Sequence, residues 1–347
     1  MKSIPSQIMK VAAVCACVAV SCLVALATPG YARYVVQSKD QGKASEGEQK
    51  ALAKIESSPD VAAKLAAAGE FVKKFPKSTL RAKVVSYVAQ EVNKIPDETQ
   101  RVTQLENLRT VFKELSDTDV IDPILIEAYM KANRIGEAFT AADRFLSTRP
   151  NDIVTLTLMA QAGVEQAKKN NPKFAAQSKQ YSERAIQVIE TGKRPDSFDE
   201  EAWNQYQTKW LPQLYQWSGY FSMLAGNKDE AKNRMEKAVS LEPDDPVHYY
   251  FLGALIHEEY QKIREEYQQL SAGPLRDTKR QLAEKKIDEV VDAWAHTVAL
   301  SEGNAQYQQL HDGVLADIQS YYKYRHAGST AGLQELIDKY KKPSTVR

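Results

Sequence analysis

A recurring interval of small residues and proline, set into a helical pattern, constrains this chain more than any other feature. In residues 224–256, LAGNKDEAKNRMEKAVSLEPDDPVHYYFLGALI, a helix-length segment ends at Pro243 and another begins. Gly219, Ala231 and Ala238 precede that proline, and Leu252-Gly253 stands 34 residues after Ser218-Gly219. Two antiparallel helices approach closely only where the facing residue has little or no side chain. Glycine and alanine supply that, proline stops the second helix, and Asp244 and Asp245 are placed to cap the next one. The unit is a helical hairpin with one apolar flank uncovered, which a neighbouring hairpin must cover.

This spacing resembles the tetratricopeptide repeat family. That family has small residues at its eighth, twentieth and twenty-seventh positions and proline at its thirty-second; Gly219, Ala231, Ala238 and Pro243 stand there. Tyr249, Leu252 and Gly253 match the opening of the following unit. Another unit ends at Pro150, with Tyr129 and Ala138 in place and Phe145 where a small residue is usual. The resemblance covers residues 119–256; residues 60–118 and 257–338 keep the helical period and lose the code. It implies an all-α fold, an α-solenoid of stacked antiparallel helix hairpins forming a superhelix, over residues 47–342.

The rest of the chain agrees. ALAKIESS, DVAAKLAAAGEFVKKFP, TLRAKVVSYVAQEVNKIP and TQRVTQLENLRTVFKEL carry apolar residues at steps of three and four. Ser-Ser-Pro, Phe-Pro and Ile-Pro stop them, and ESSPD, SDTD, TRPND, EPDDP and SEGN read as short cap-and-turn clusters. About fourteen helices are expected, with no strand pattern. After Ile256 the helix runs on, and Gly273-Pro274 turns it into a second long one. This hairpin is either a projection beyond the stack or a divergent repeat with an insertion.

The N-terminus carries Lys2 and Lys10, then Val11 to Ala27, apolar except for Ser21. Ala25-Leu26-Ala27 and Gly30-Tyr31-Ala32 follow as cleavage-like sites. Residues 1–32 therefore read as a secretory signal peptide or, uncleaved, as an N-terminal membrane anchor formed by residues 11–27. Cys15, Cys17 and Cys22 all lie in this run, so a cleaved chain has no thiol. Ala19-Val20-Ser21-Cys22 only loosely resembles a lipobox. Residues 33–46, RYVVQSKDQGKASE, read as a polar tether. The expected location is the bacterial cell envelope: periplasmic or secreted, or held at the inner membrane by the anchor.

Net charge is +1, and loss of Lys2 and Lys10 from 46 basic residues leaves 44 against 45 acidic ones. Neither balance suits a nucleic-acid partner. No GxSxG, Gly-rich phosphate loop, paired-cysteine motif or HExxH occurs, and His248, His257, His296, His311 and His326 form no trusted ligand spacing. The chain is expected to be no enzyme, to hold no cofactor or metal, and to bind a protein or peptide. The resemblance points the groove residues inward from Gln213, Gln216, Tyr220, Met223 and Leu224, and from Val247, Tyr250, Ala254, His257 and Glu258. The Lys and Asn that clamp a terminal carboxylate in the chaperone-binding subset are absent there. Trp203, Trp210 and Trp217, seven apart, share a helix face with Tyr206, Tyr220 and Phe221 nearby. That face is a packing seam, or a wall for glycan or peptide in an envelope enzyme's accessory subunit; Pro212 is expected to bend it at or before Leu211. Tyr321, Tyr322, Tyr324 and Arg325 are expected to cover the final helix pair.

Overall fold

The computed structural model describes residues 44–341. The leader, its three cysteines and most of the tether lie outside the described residues. Among these, the chain forms fourteen α-helices and no strand: α1 (Glu46–Ser57), α2 (Val61–Lys74), α3 (Arg81–Asn93), α4 (Glu98–Val111), α5 (Leu115–Lys131), α6 (Ile135–Thr148), α7 (Ile153–Lys168), α8 (Ala175–Glu190), α9 (Glu200–Leu224), α10 (Lys228–Leu241), α11 (Pro246–Gln269), α12 (Pro274–Ser301), α13 (Gln308–Arg325) and α14 (Leu333–Asp338). None of them is long and apolar enough to cross a membrane. The described residues form two compact units, 44–159 with 195–199, and 160–194 with 200–341.

In the first unit each helix packs on the next from α1 to α6, with further contacts between α2 and α4 and between α3 and α5. Short polar residues mark the starts. Ser45 and Glu48 form a reciprocal capping box on α1, Asp60 accepts from Ala63 N at 2.8 Å on α2, and Asp97 accepts from Gln100 N at 2.6 Å on α4. SDTD, expected to be a turn, is instead inside the first two turns of α5. The break falls at Phe112–Glu114, and Asp117 folds back to accept from Glu114 N at 3.2 Å. Asp117 is also buried against Arg81 of α3, with Arg81 Nη2 at 2.6 Å and Nε at 3.0 Å from its oxygens. This charged tie joins α3 to α5 where the small-residue code is weak.

In the second unit α8, α9, α10, α11, α12 and α13 pack consecutively, and α14 docks on α12. Glycine decides the close approaches. A methyl group at Gly219 would meet Met235 Cε at 3.0 Å and the Ala231 carbonyl at 3.2 Å. At Gly253 it would run into the Trp294 indole of α12, and at Gly163 into Ser178 of α8. Trp294 is 1% exposed, and its Nε1 donates to Tyr250 O at 3.3 Å. The indole thus fills the notch left by glycine and is held by α11's own backbone.

α9 does not end at Pro212; one helix continues to Leu224 with that proline buried inside it. Proline removes one N–H, and the carbonyl it leaves belongs to exposed Thr208, where water can serve it. Packing of α9 on α8 and α10 supplies the rest. The long hairpin α11–α12 has a two-helix tip. Between Tyr260 and Ile287 only Ala283 is buried, and Lys279–Glu266 at 2.6 Å and Lys286–Glu259 at 2.9 Å bridge its helices.

The C-terminal end is closed by aromatic stacking. His296 of α12 lies between Tyr249 and Tyr340, at centroid distances of 4.3 and 3.4 Å. Tyr321 packs on His257, Tyr260 and Trp294, Tyr322 is buried, and Arg325 pairs with Asp288 at 2.8 Å; Tyr324 stays exposed. Burial pushes the Tyr321 phenol up to about 12.

Gly253→Ala should destabilise the chain by about 1–3 kcal/mol, the cost of overpacking. Urea denaturation measures this, and an unchanged midpoint would show that Trp294 yields freely. A pH effect follows from His296, whose pKa burial lowers from the ordinary 6.5. The folded state then binds fewer protons than the unfolded state, so this contribution is complete above 6.5 and fades as pH falls through the lower folded value. Protection factors over α14, corrected for the intrinsic exchange rate, should fall below pH 6.5 in the wild type and much less in His296→Phe.

Candidate functional site

Seven of the ten residues expected to line the groove fall into two groups. Gln216, Tyr220, Tyr250 and His257 are buried. Tyr220 packs on Phe251 at 5.6 Å between centroids, which ties α9 to α11, and Tyr250 meets the same ring edge-on. His257 is 0% exposed, with Nε2 in hydrogen-bond contact with the Tyr321 hydroxyl. These four build the stack. Gln213, Met223 and Glu258 are half-buried and reach the surface. Glu258 pairs with Lys228 at 2.8 Å, and Gln213 donates to Glu242 at 3.2 Å and to Asp245 at 3.4 Å.

The tryptophan face is continuous. Trp203 stacks on Tyr206 at 5.9 Å, Tyr206 leans on Trp210 at 6.2 Å, and Trp210 leans on Trp217 at 5.9 Å. Trp203 and Trp217 are buried, so most of this surface is a seam. Trp210 and Tyr206 are half-buried, and Lys209 Nζ lies 4.7 Å from the Trp210 ring centroid.

A site with no counterpart among the sequence motifs lies in the first unit. A cavity of about 450 Å³ opens among α4, α5 and α6, lined by Glu106, Arg109, Thr110, Lys113, Leu125, Tyr129 and Arg144. Arg109 Nε and Arg144 Nη2 both donate to Asp122 Oδ1, at 2.6 and 2.9 Å, and Asp122 is buried behind them. One carboxylate so holds two guanidinium groups and neutralises one. Glu106 accepts from the Tyr129 hydroxyl at 2.8 Å and from Arg134 Nη2 at 3.0 Å. Burial, with Glu106 beside it, pushes the Tyr129 phenol up to about 12 and keeps it a donor. Lys113, just past the end of α4, is exposed and forms no ion pair among the described residues.

The lining combines an excess of positive charge with an aromatic ring and a leucine. Guanidinium forks match carboxylates in shape, and their orientation here is fixed in advance by Asp122. The volume falls within the ordinary range for ligand clefts. Chemically, the cavity suits a carboxylate with an apolar body. Its sequence trace was faint: Arg109 and Lys113 are four apart at a helix end, a pattern shared with any solvated face, and Arg144 belongs to another hairpin.

No protein-family model matches the sequence, and no curated protein matches it. Among solved structures the chain is similar to one from the functional characterization of Pseudomonas aeruginosa pilF, at 13% identity and a TM-score of 0.31, over 85% of this chain and 100% of that one. So distant a likeness has no bearing on a ligand. Among the described residues each of the two units is an all-α stack of consecutive helices. That description rests on the packing of consecutive helices.

Asp122→Asn removes the anion that holds Arg109 and Arg144. Stability should fall by roughly 1.5–3 kcal/mol, the range for hydrogen bonds to charged groups. Thermal unfolding checks this, and an unchanged midpoint would mean that the two guanidinium groups are equally well placed in water.

Proposed function

We propose that this chain is a non-catalytic protein-interaction scaffold of tetratricopeptide type, exported to the bacterial cell envelope, and that it holds an acidic, partly apolar segment of a partner protein. The observation that carries the binding role is the cavity at Arg109, Lys113, Tyr129 and Arg144, with its two guanidinium groups oriented by a buried carboxylate. A partner carboxylate there would meet fixed donors and the ammonium of Lys113, with Leu125 and Tyr129 taking its apolar neighbour. Export is supported by the lysines and apolar run of residues 1–32, and the repeat type by the interval from Gly219 to Gly253. Either form of the leader, cleaved or anchoring, is compatible with this role; mass spectrometry of the mature N-terminus separates them. A glycan-holding accessory role has one supporting observation, the accessible edge of Trp210 and Tyr206. Trp fluorescence quenching by polysaccharide fragments tests that reading.

Cross-linking in intact cells, with identification of the captured protein, tests the scaffold. Lys113→Glu should reduce capture several-fold without altering the helical circular-dichroism signal, since Lys113 is exposed. Binding by the wild type should weaken as salt rises, as expected for a site that steers an anion. Capture that is indifferent to Lys113→Glu and to salt would move the site elsewhere.

A further inference from the structure

The turn between α10 and α11 brings together Glu242, Asp245 and His248, whose ligand-type atoms all lie within 4.8 Å of one another. Acidic groups at a turn are common, and two carboxylates alone would mean little. The histidine makes the difference. His248 is 0% exposed, and its Nδ1 lies 3.2 Å from the Glu242 carbonyl oxygen. A carbonyl only accepts, so Nδ1 carries the proton, and in the neutral ring Nε2 is a bare lone pair. That Nε2 is buried and forms no hydrogen bond. It faces Asp245 Oδ2 at 3.5 Å. With the ring neutral these are two facing acceptors, which a shared cation would bridge; with the ring protonated they form an ion pair.

We propose that Glu242, Asp245 and His248 bind a divalent first-row transition ion, with Zn²⁺ the best match, and that the ion staples α10 to α11. Four features support this. First, tetrahedral bonds of 2.0–2.2 Å put neighbouring ligand atoms about 3.4 Å apart, close to the Nε2–Oδ2 separation. Second, a metal-binding histidine characteristically donates its other ring N–H to a backbone carbonyl, and His248 does so. Third, the carboxylates are already oriented. Gln213 Nε2 of α9 donates to Glu242 Oε2 at 3.2 Å and to Asp245 Oδ2 at 3.4 Å, while Asp245 Oδ1 caps α11 through Val247 N at 2.8 Å. Fourth, Glu242 and Asp245 are half-buried and not sealed, so an ion has a way in and a water can complete the shell. An imidazole with two carboxylates suits Zn²⁺ better than Mg²⁺ or Ca²⁺, which prefer all-oxygen shells. The site is independent of the cavity among α4, α5 and α6.

The test uses the full chain, treated with chelator and free of any affinity tag. Calorimetric titration with ZnCl₂ should show one ion per chain, and CoCl₂ should give the visible ligand-field bands of a four-coordinate site. Glu242→Gln and Asp245→Asn keep shape, and D245N keeps an oxygen for the α11 cap, so both variants should fold with unchanged circular dichroism. Each should weaken Zn²⁺ binding more than tenfold. Gln213→Ala should weaken it about 10–100-fold, as loss of an orienting partner does. No Zn²⁺ heat and no Co²⁺ bands in the wild type would overturn the proposal, and a proton would then fill the gap. Wild-type affinity in E242Q and D245N would overturn it equally, placing the ion at another histidine.

Discussion

Backbone proximity is the constraint on which the second unit depends. At Gly163, Gly219 and Gly253 the neighbouring helix stands where a β-carbon would go. Such contact sets how deep the partner's side chains penetrate, and so which side chains can be large. Trp294 is fully buried because Gly253 leaves room for its indole. Met235 likewise lies against Gly219. Around these points the aromatic residues of α9, α11, α12 and α13 form one connected packing, from Tyr220 through Phe251 and Tyr250 to Trp294, His257 and Tyr321. A hairpin stack has an open flank at its end, and α14 with Tyr340 over His296 covers it.

The first unit solves the same problem differently. Among the described residues of this unit, Gly47 and Gly69 meet Phe75 and Val111 only at ordinary contact distances, 3.4 and 3.8 Å. Charged ties appear instead. Arg81–Asp117 joins α3 to α5, and Asp122 of α5 gathers Arg109 of α4 and Arg144 of α6. Both aspartates are buried, so each is stable only while its guanidinium partners remain. The second tie has a by-product. Holding two arginines on one carboxylate leaves positive charge at the cavity rim, and α5 supplies the ring and leucine beside it.

Helix positions and stops were legible because their causes are local. Asp60, Asp97 and Asp245 each cap the helix that begins at the next residue. Among the described residues the prolines fall between helices or at a helix start, apart from Pro123 and Pro212. The misreadings have tertiary causes. SDTD looked like a turn because Ser and Asp favour turns, but Asp117 finds Arg81, far off in sequence. Gln216, Tyr220, Tyr250 and His257 occupy positions that face a groove in an average repeat. Here Phe251 of α11 lies against Tyr220 and Tyr321 of α13 against His257, and only the packing could reveal that. The cavity draws on three helices and left no contiguous motif.

The histidine site was missed for a related reason, and it shows where function can accumulate in such a stack. A ligand-spacing search assumes residues on one element. Glu242 is the C-terminal cap of α10, Asp245 is the N-terminal cap of α11, and His248 lies in the first turn beyond. Each has a local structural duty that already explains its presence. A helix junction must satisfy carbonyls at one end and N–H groups at the next, so it concentrates acceptors in a few residues. Where the repeat spacing makes that junction short, acceptors that cap different helices come within reach of one another. A buried imidazole turned into the same turn, its proton spent on the α10 carbonyl, then faces oxygen with a lone pair. The packing of a helical hairpin can thus bring capping carboxylates and one buried imidazole to a common point.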